Sequence, residues 1–94
     1  MDESLNSQKE PVTGEITTLD RILPPGACRV VAVTAAGGFR RRLLALGFIP
    51  GTPIEAVRVA PLGDPVEYKI KSYHLSLRKE DARFITVTRD EEKA

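Results

Sequence analysis

A small antiparallel β-barrel of about five strands with one short inserted helix is the fold class the sequence predicts, and three observations predict it. The chain has 94 residues, 41% of them hydrophobic, which suffices for one modest core and not for two. Short runs rich in β-branched residues recur between glycine and proline clusters, and two of them alternate apolar and polar side chains without a fault. Once only, after the first run, the period changes to that of a helix. Strands this short cannot build a two-sheet sandwich with a full core, but they can curl into a barrel that hides its own edges.

In chain order, residues 1–17 hold few large apolar side chains and no sustained periodicity, and are expected to form a polar, acidic, disordered extension. The domain is expected to run over 18–89. It opens with Leu19, Ile22 and Leu23 as a short apolar cap before Pro24-Pro25-Gly26 stops any helix. ACRVVAVTA reads as a first strand from about Cys28 to Thr34. Phe39, Leu43 and Leu46 then recur at helical spacing, and Gly47 is placed to take the left-handed conformation that ends the helix after about two turns.

Pro50-Gly51 suits the central positions of a type II turn, and TPIEAVRVA follows as a second strand. PLGDP is a tight reversal in which Pro61, Gly63 and Pro65 set the strand register and Asp64 bonds local backbone. VEYKIK puts Val66, Tyr68 and Ile70 on one face, and YHLSLR puts Tyr73, Leu75 and Leu77 inward. KEDA makes one helical turn, and RFITVT is a last strand with Ile85 and Val87 inward. Residues 90–94 are a charged tail.

Composition and residue types exclude several functions. A formal charge of +1 divides into −3 over residues 1–17, −1 over residues 89–94 and +5 between them, a basic excess too dilute to name a partner. No apolar run approaches the ~20 residues of a membrane span, and the start has no signal-peptide pattern. A domain of this size has no room for a large internal cavity, and the single histidine, His74, falls on an outward strand face beside Ser76 and Arg78, where a surface histidine is the better reading than a catalytic one. The single cysteine, Cys28, reads as a small buried hydrophobe. One histidine and one cysteine far apart do not make a metal site, and AAGGFRRR lacks the Lys-Ser/Thr of a phosphate loop. No enzyme activity, metal or cofactor is expected.

Arg40, Arg41 and Arg42 remain. A solvated helix face is the default explanation for a charge run, and residues 100° apart cannot make one flat patch. With Arg42 lying along the barrel, Arg40 and Arg41 stay exposed near Phe48 and Ile49, which pairs apolar anchors with a charged rim.

RRRLLALGFIPGT, followed by APLGDPVEYKIKSYHLSLRKEDARFITV, resembles the ferrous iron transport protein A family, FeoA, from about LPPGACRVV to Val87. Ser72 stands where many relatives have glycine, and the acidic extension is longer than the usual start. The resemblance implies an SH3-like barrel and a cytoplasmic accessory role in bacterial ferrous iron uptake, membrane-associated through the transporter FeoB and its cytosolic GTPase region. Carried onto this chain, it makes Arg40, Arg41, Leu44, Phe48, Ile49 and Pro50 the candidate partner surface, with Gly47, Gly51, Pro61, Gly63, Asp64 and Pro65 as structural turn residues. The alternative is an SH3-like regulatory module related to the C-terminal domain of iron-dependent repressors, acting by protein contact or weak nucleic-acid binding. The chain has no room for a DNA-reading helix-turn-helix and too few aromatics for single-strand or proline-peptide binding. Self-association through a strand edge stays open.

Overall fold

A computed structural model of the protein describes residues 14–89. Its elements in chain order are β1 (Ile16–Thr18), β2 (Gly26–Val33), α1 (Gly37–Leu46), β3 (Pro53–Val59), β4 (Val66–Ile70), β5 (Tyr73–Leu77), α2 (Lys79–Ala82) and β6 (Ile85–Arg89), with a 3₁₀ turn at Leu19–Arg21. The strands form one antiparallel sheet in the order β1-β6-β2-β3-β4-β5. The architecture is mainly β with one short helix inserted after β2.

Six strands are described where about five are expected, and the sixth is β1. It takes in the last two residues of the stretch assigned above to the extension, pairing Ile16 with Thr88, Thr17 with Val87 and Thr18 with Thr86. Three residues are too few to show a period, so the pairing leaves no mark on the local pattern. It is anchored by backbone instead: Arg89 N–H donates to the Glu15 carbonyl at 3.0 Å, and a Cβ added to Gly14 would stand 1.7 Å from the Arg89 carbonyl oxygen. Only glycine permits that approach. The expectations for residues 1–13 and 90–94 lie outside the described residues.

The alternation read in β4 holds, with Val66, Tyr68 and Ile70 buried and Lys69 exposed. In β2 and β3 the alternation shifts by one at a bulge, between Val30 and Ala32 and between Ala56 and Arg58. Val31 and Val57 face solvent in step with Arg29 and Glu55, and past each shift Val33 and Val59, of that same parity, pack against the core instead. Tyr68 fills the middle of the core and donates its hydroxyl to the Leu19 carbonyl at 3.4 Å, which joins the 3₁₀ turn to the sheet. Burial pushes the ionisation of that hydroxyl well above the usual phenol range. Between β4 and β5, Lys71 takes the left-handed conformation at φ 58°, so Ser72 has no need to be glycine.

PLGDP forms the expected reversal between β3 and β4. Gly63 sits at φ 96° with its N–H on the Ala60 carbonyl at 2.8 Å. Asp64 departs from the expectation of a purely local bond: its Oδ1 accepts the N–H of Lys79, the first residue of α2, at 2.9 Å. A carboxylate there satisfies a helix-start donor that the Arg78 cap position leaves without a side-chain partner. Asp64→Ala is expected to cost about 1–2 kcal/mol, read as a thermal midpoint lower by about 5–10 °C. An unchanged melt would show that the bond contributes nothing.

Candidate partner-docking face

The LALGFIPGT stretch decides which side chains face inward and which face a partner. Leu43 and Leu44 carbonyls near the end of α1 accept the N–H of Phe48 at 3.2 Å and of Gly47 at 3.0 Å respectively, with Gly47 at φ 115°. That pair of bonds is the Schellman closure, whose apolar residue after the glycine packs against the residue three positions before the helix cap. Here those residues are Phe48 and Leu43, and both are core side chains. Tyr73 on β5 donates its hydroxyl to the Leu46 carbonyl, satisfying another acceptor at the helix end. The turn then follows the expected type II geometry: Thr52 N–H donates to the Ile49 carbonyl at 3.0 Å, with Gly51 at φ 95°. Backbone bonds from Gly51 N–H to Val30 O at 2.8 Å and from Val30 N–H to Thr52 O at 2.9 Å tie this turn to β2, and the Arg29 side chain donates to the Gly51 carbonyl at 3.2 Å.

Phe48 is the correction among the six candidate surface residues: it is 0% exposed and cannot touch a partner. Ile49, by contrast, is 45% exposed, Pro50 and both Arg40 and Arg41 are exposed, and Leu44 is half-buried. At 100° per residue, Leu44 falls between Arg40 and Arg41 around the helix and about one turn along it, so these three share the outer face of α1. Ile49 and Pro50 follow directly past its C-terminal end. The structure therefore keeps five of the six candidates at the surface, in an arrangement of two guanidiniums, a leucine flank and an apolar turn.

Among the described residues, charge on this face is uncompensated. The α1 sequence GGFRRRLLAL contains no carboxylate, and the positions three and four residues from each arginine are apolar, glycine or outside the helix. Solvated helix faces ordinarily interleave both signs. Among the described residues the ion pairs are Arg58–Glu67 at 3.2 Å and Arg89–Glu15 at 3.4 Å, with a His74–Glu67 hydrogen bond at 2.7 Å, and none of these involves α1. The hydrogen bond with His74, assisted by Arg58, holds the Glu67 carboxyl below the usual carboxylate range.

Other chemistry finds little purchase. Among the described residues no three His, Cys, Asp or Glu side chains converge to hold a metal ion. A shallow depression of about 230 Å³ lies on the outside of the sheet, between Ala27, Pro53, Ile54, Glu55, Lys69 and Lys71, and is largely open to solvent. No helix among the described residues is long and apolar enough to cross a membrane.

Residues 17–89 match the family model described as FeoA domain. Over 58 residues the chain is 50% identical to an Fe(2+) transport protein A/Fe(2+) transporter FeoB fusion protein of Porphyromonas gingivalis, a match covering 62% of this chain and 7% of that much longer protein. The solution structure of iron(II) transport protein A from Clostridium thermocellum is similar at a TM-score of 0.73 and 38% identity, over 78% of this chain and 45% of that one. The zinc-complexed crystal structure of Stenotrophomonas maltophilia FeoA, described as a prokaryotic SH3 domain protein, is similar at a TM-score of 0.68 and 25% identity, over 76% of this chain and 88% of that one.

Proposed function

We propose that this chain, which belongs to the FeoA domain family, is a cytoplasmic accessory protein of bacterial ferrous iron uptake that docks on the cytosolic GTPase region of FeoB and modulates the transporter. The observation that carries the reading is the outer face of α1 and its turn, where Arg40 and Arg41 have no ion-pair partner among the described residues and Ile49 stands exposed in the turn that follows the helix. Apolar anchors rimmed by unpaired charge suit a protein interface better than a solvated surface. Partnership with FeoB is supported by the relative that carries both proteins in one chain. A tether of that kind raises the effective concentration of a contact that is weak between separate chains. The shallow, open depression and the absence of a metal-holding cluster among the described residues favour binding over chemistry.

Titration against the isolated cytosolic GTPase region, once with GDP and once with a GTP analogue, tests the reading. Wild-type protein is expected to bind saturably, and Arg40→Glu/Arg41→Glu to weaken binding by about tenfold or more with an unchanged melt, since neither side chain supports the fold. Absence of wild-type binding in both nucleotide states would sink the assignment of that partner region. Steeply salt-dependent binding to DNA instead would favour the regulatory-module alternative.

A further inference from the structure

Two more arginines, Arg42 in the middle of α1 and Arg83 in the α2–β6 connector, are carried by a pair of aromatic rings from distant parts of the chain. Phe39, in the first turn of α1, meets Phe84, in the connector between α2 and β6, edge to face with centroids 5.6 Å apart and planes at 90°. The Arg42 guanidinium lies over the Phe39 ring at 5.8 Å and the Arg83 guanidinium over the Phe84 ring at 5.0 Å. Both rings are half-buried and both arginines exposed. The connector is pinned in place, because the Phe84 carbonyl accepts both the backbone N–H of Thr34, at 2.7 Å, and its hydroxyl, at 3.1 Å.

A guanidinium resting on a ring face is held through its π surface and keeps its planar fork of N–H donors free. Neither Arg42 nor Arg83 has an ion-pair partner among the described residues, although Glu80 and Asp81 lie close by in sequence. The carboxylate of Asp81 is not engaged by Arg83; it is the Asp81 backbone carbonyl that accepts the Phe84 N–H, at 3.1 Å. Two preorganised forks, unpaired among the described residues, therefore stand on one aromatic mount, with Arg42 about 100° around α1 from Arg41.

We propose that Arg42, Phe39, Phe84 and Arg83 form a carboxylate-reading extension of the docking face, so that the FeoB surface it fits is acidic and reaches from α1 to the α2–β6 connector. This inference rests on the docking reading above and adds the chemistry and extent of the partner surface. Charge complementarity argues for it: four guanidiniums without carboxylates of their own favour a partner that brings them, and planar forks match carboxylates in bidentate geometry. An anionic membrane fits less well. Interfacial binding uses exposed apolar side chains that enter the headgroup layer, and the large exposed hydrophobics among the described residues, Ile16, Leu23, Val31, Ile49, Val57, Leu62 and Tyr73, include none of this unit.

The test measures affinity of the full chain for full-length FeoB in neutral-lipid nanodiscs, with parallel titration of phosphatidylserine vesicles and a melt of every variant. Arg42→Gln/Arg83→Gln is expected to weaken FeoB binding about tenfold, and Arg42→Lys/Arg83→Lys, which keeps charge but not the fork, to recover only part of it. Lys69→Glu, an equal or larger charge change on the outward face of β4, is expected to leave affinity within about twofold. Arg42→Gln alone serves if the double variant melts early. Full binding by the glutamine variant while Arg40→Glu/Arg41→Glu binds poorly would overturn this extension and leave the docking reading standing. Full recovery by lysine would overturn carboxylate reading in favour of undirected charge. Wild-type binding to the vesicles but not to FeoB would overturn both readings.

Discussion

Phe48→Ala is expected to leave the domain largely unfolded at 37 °C, with a thermal midpoint lower by about 15 °C or more. Phe48 is fully buried and is among the largest side chains in the core. Truncating a buried phenylalanine to alanine costs about 3–5 kcal/mol in lost transfer energy and cavity, against about 5–10 kcal/mol in all for a domain of this size. The loss is concentrated where the molecule has least redundancy, because Phe48 and Leu43 together close the helix end onto the sheet. Circular dichroism melts of Phe48→Ala and Ile49→Ala make the comparison. Adjacent in sequence, the two variants should behave oppositely: Ile49→Ala melts within about 2–3 °C of wild type, as surface truncations do, and loses affinity for FeoB. A Phe48→Ala protein with a near-native melt and weakened binding would return Phe48 to the docking face.

That contrast also shows how far the sequence could be read. Strict alternation makes β4 legible and the change of period makes α1 legible, because each repeats its signal several times over. In β5, by contrast, the alternation places Tyr73 inward although it is 39% exposed, its hydroxyl reaching out to the Leu46 carbonyl. Leu43 at the third position before the cap, glycine at 47 and an apolar residue next are the Schellman signature, so the inward course of Phe48 was available from local chemistry. The arginine run before LGFIP and the solvent-facing Ile49 next to Phe48 mask that signal, because charge and exposed apolar residues in one stretch have the composition of a docking rim. β1 was not legible in the same way: its pairing depends on a backbone approach between Gly14 and Arg89, which come from opposite ends of the chain. The bulges between Val30 and Ala32 and between Ala56 and Arg58 likewise turn Val33 and Val59 onto the core, out of step with the alternation before them, without any local warning. For the site, Arg40, Arg41, Leu44, Ile49 and Pro50 could be proposed from one continuous segment. Arg83 and Phe84 join α1 only through tertiary packing, and no spacing rule connects Phe39 with Phe84.

Gly47→Val is expected to lower stability by about 2–4 kcal/mol and to reduce FeoB binding in the protein that remains folded, two effects from one backbone constraint. The position sits at φ 115°, a conformation that a β-branched residue adopts only under strain. Space is short as well: a Cβ there would lie 3.1 Å from Ile70 Cδ1 and 3.5 Å from the Tyr73 hydroxyl oxygen. The Ile70 methyl is a core atom with little room to retreat, and the Tyr73 hydroxyl is committed to the Leu46 carbonyl. Relief therefore requires the end of α1 to move off the β4–β5 hairpin. That movement loosens the bonds of Gly47 and Phe48 to the helix and shifts Ile49 and Pro50 relative to Arg40 and Arg41. Melts and FeoB titrations at 15 °C, below the expected transition, separate the two effects. Gly47→Ala, which adds the Cβ but no branch, should fall between wild type and valine in both readouts. If Gly47→Val kept full affinity per folded molecule, the geometry of the turn would be irrelevant to docking, and the arginines of α1 would have to carry the contact by themselves.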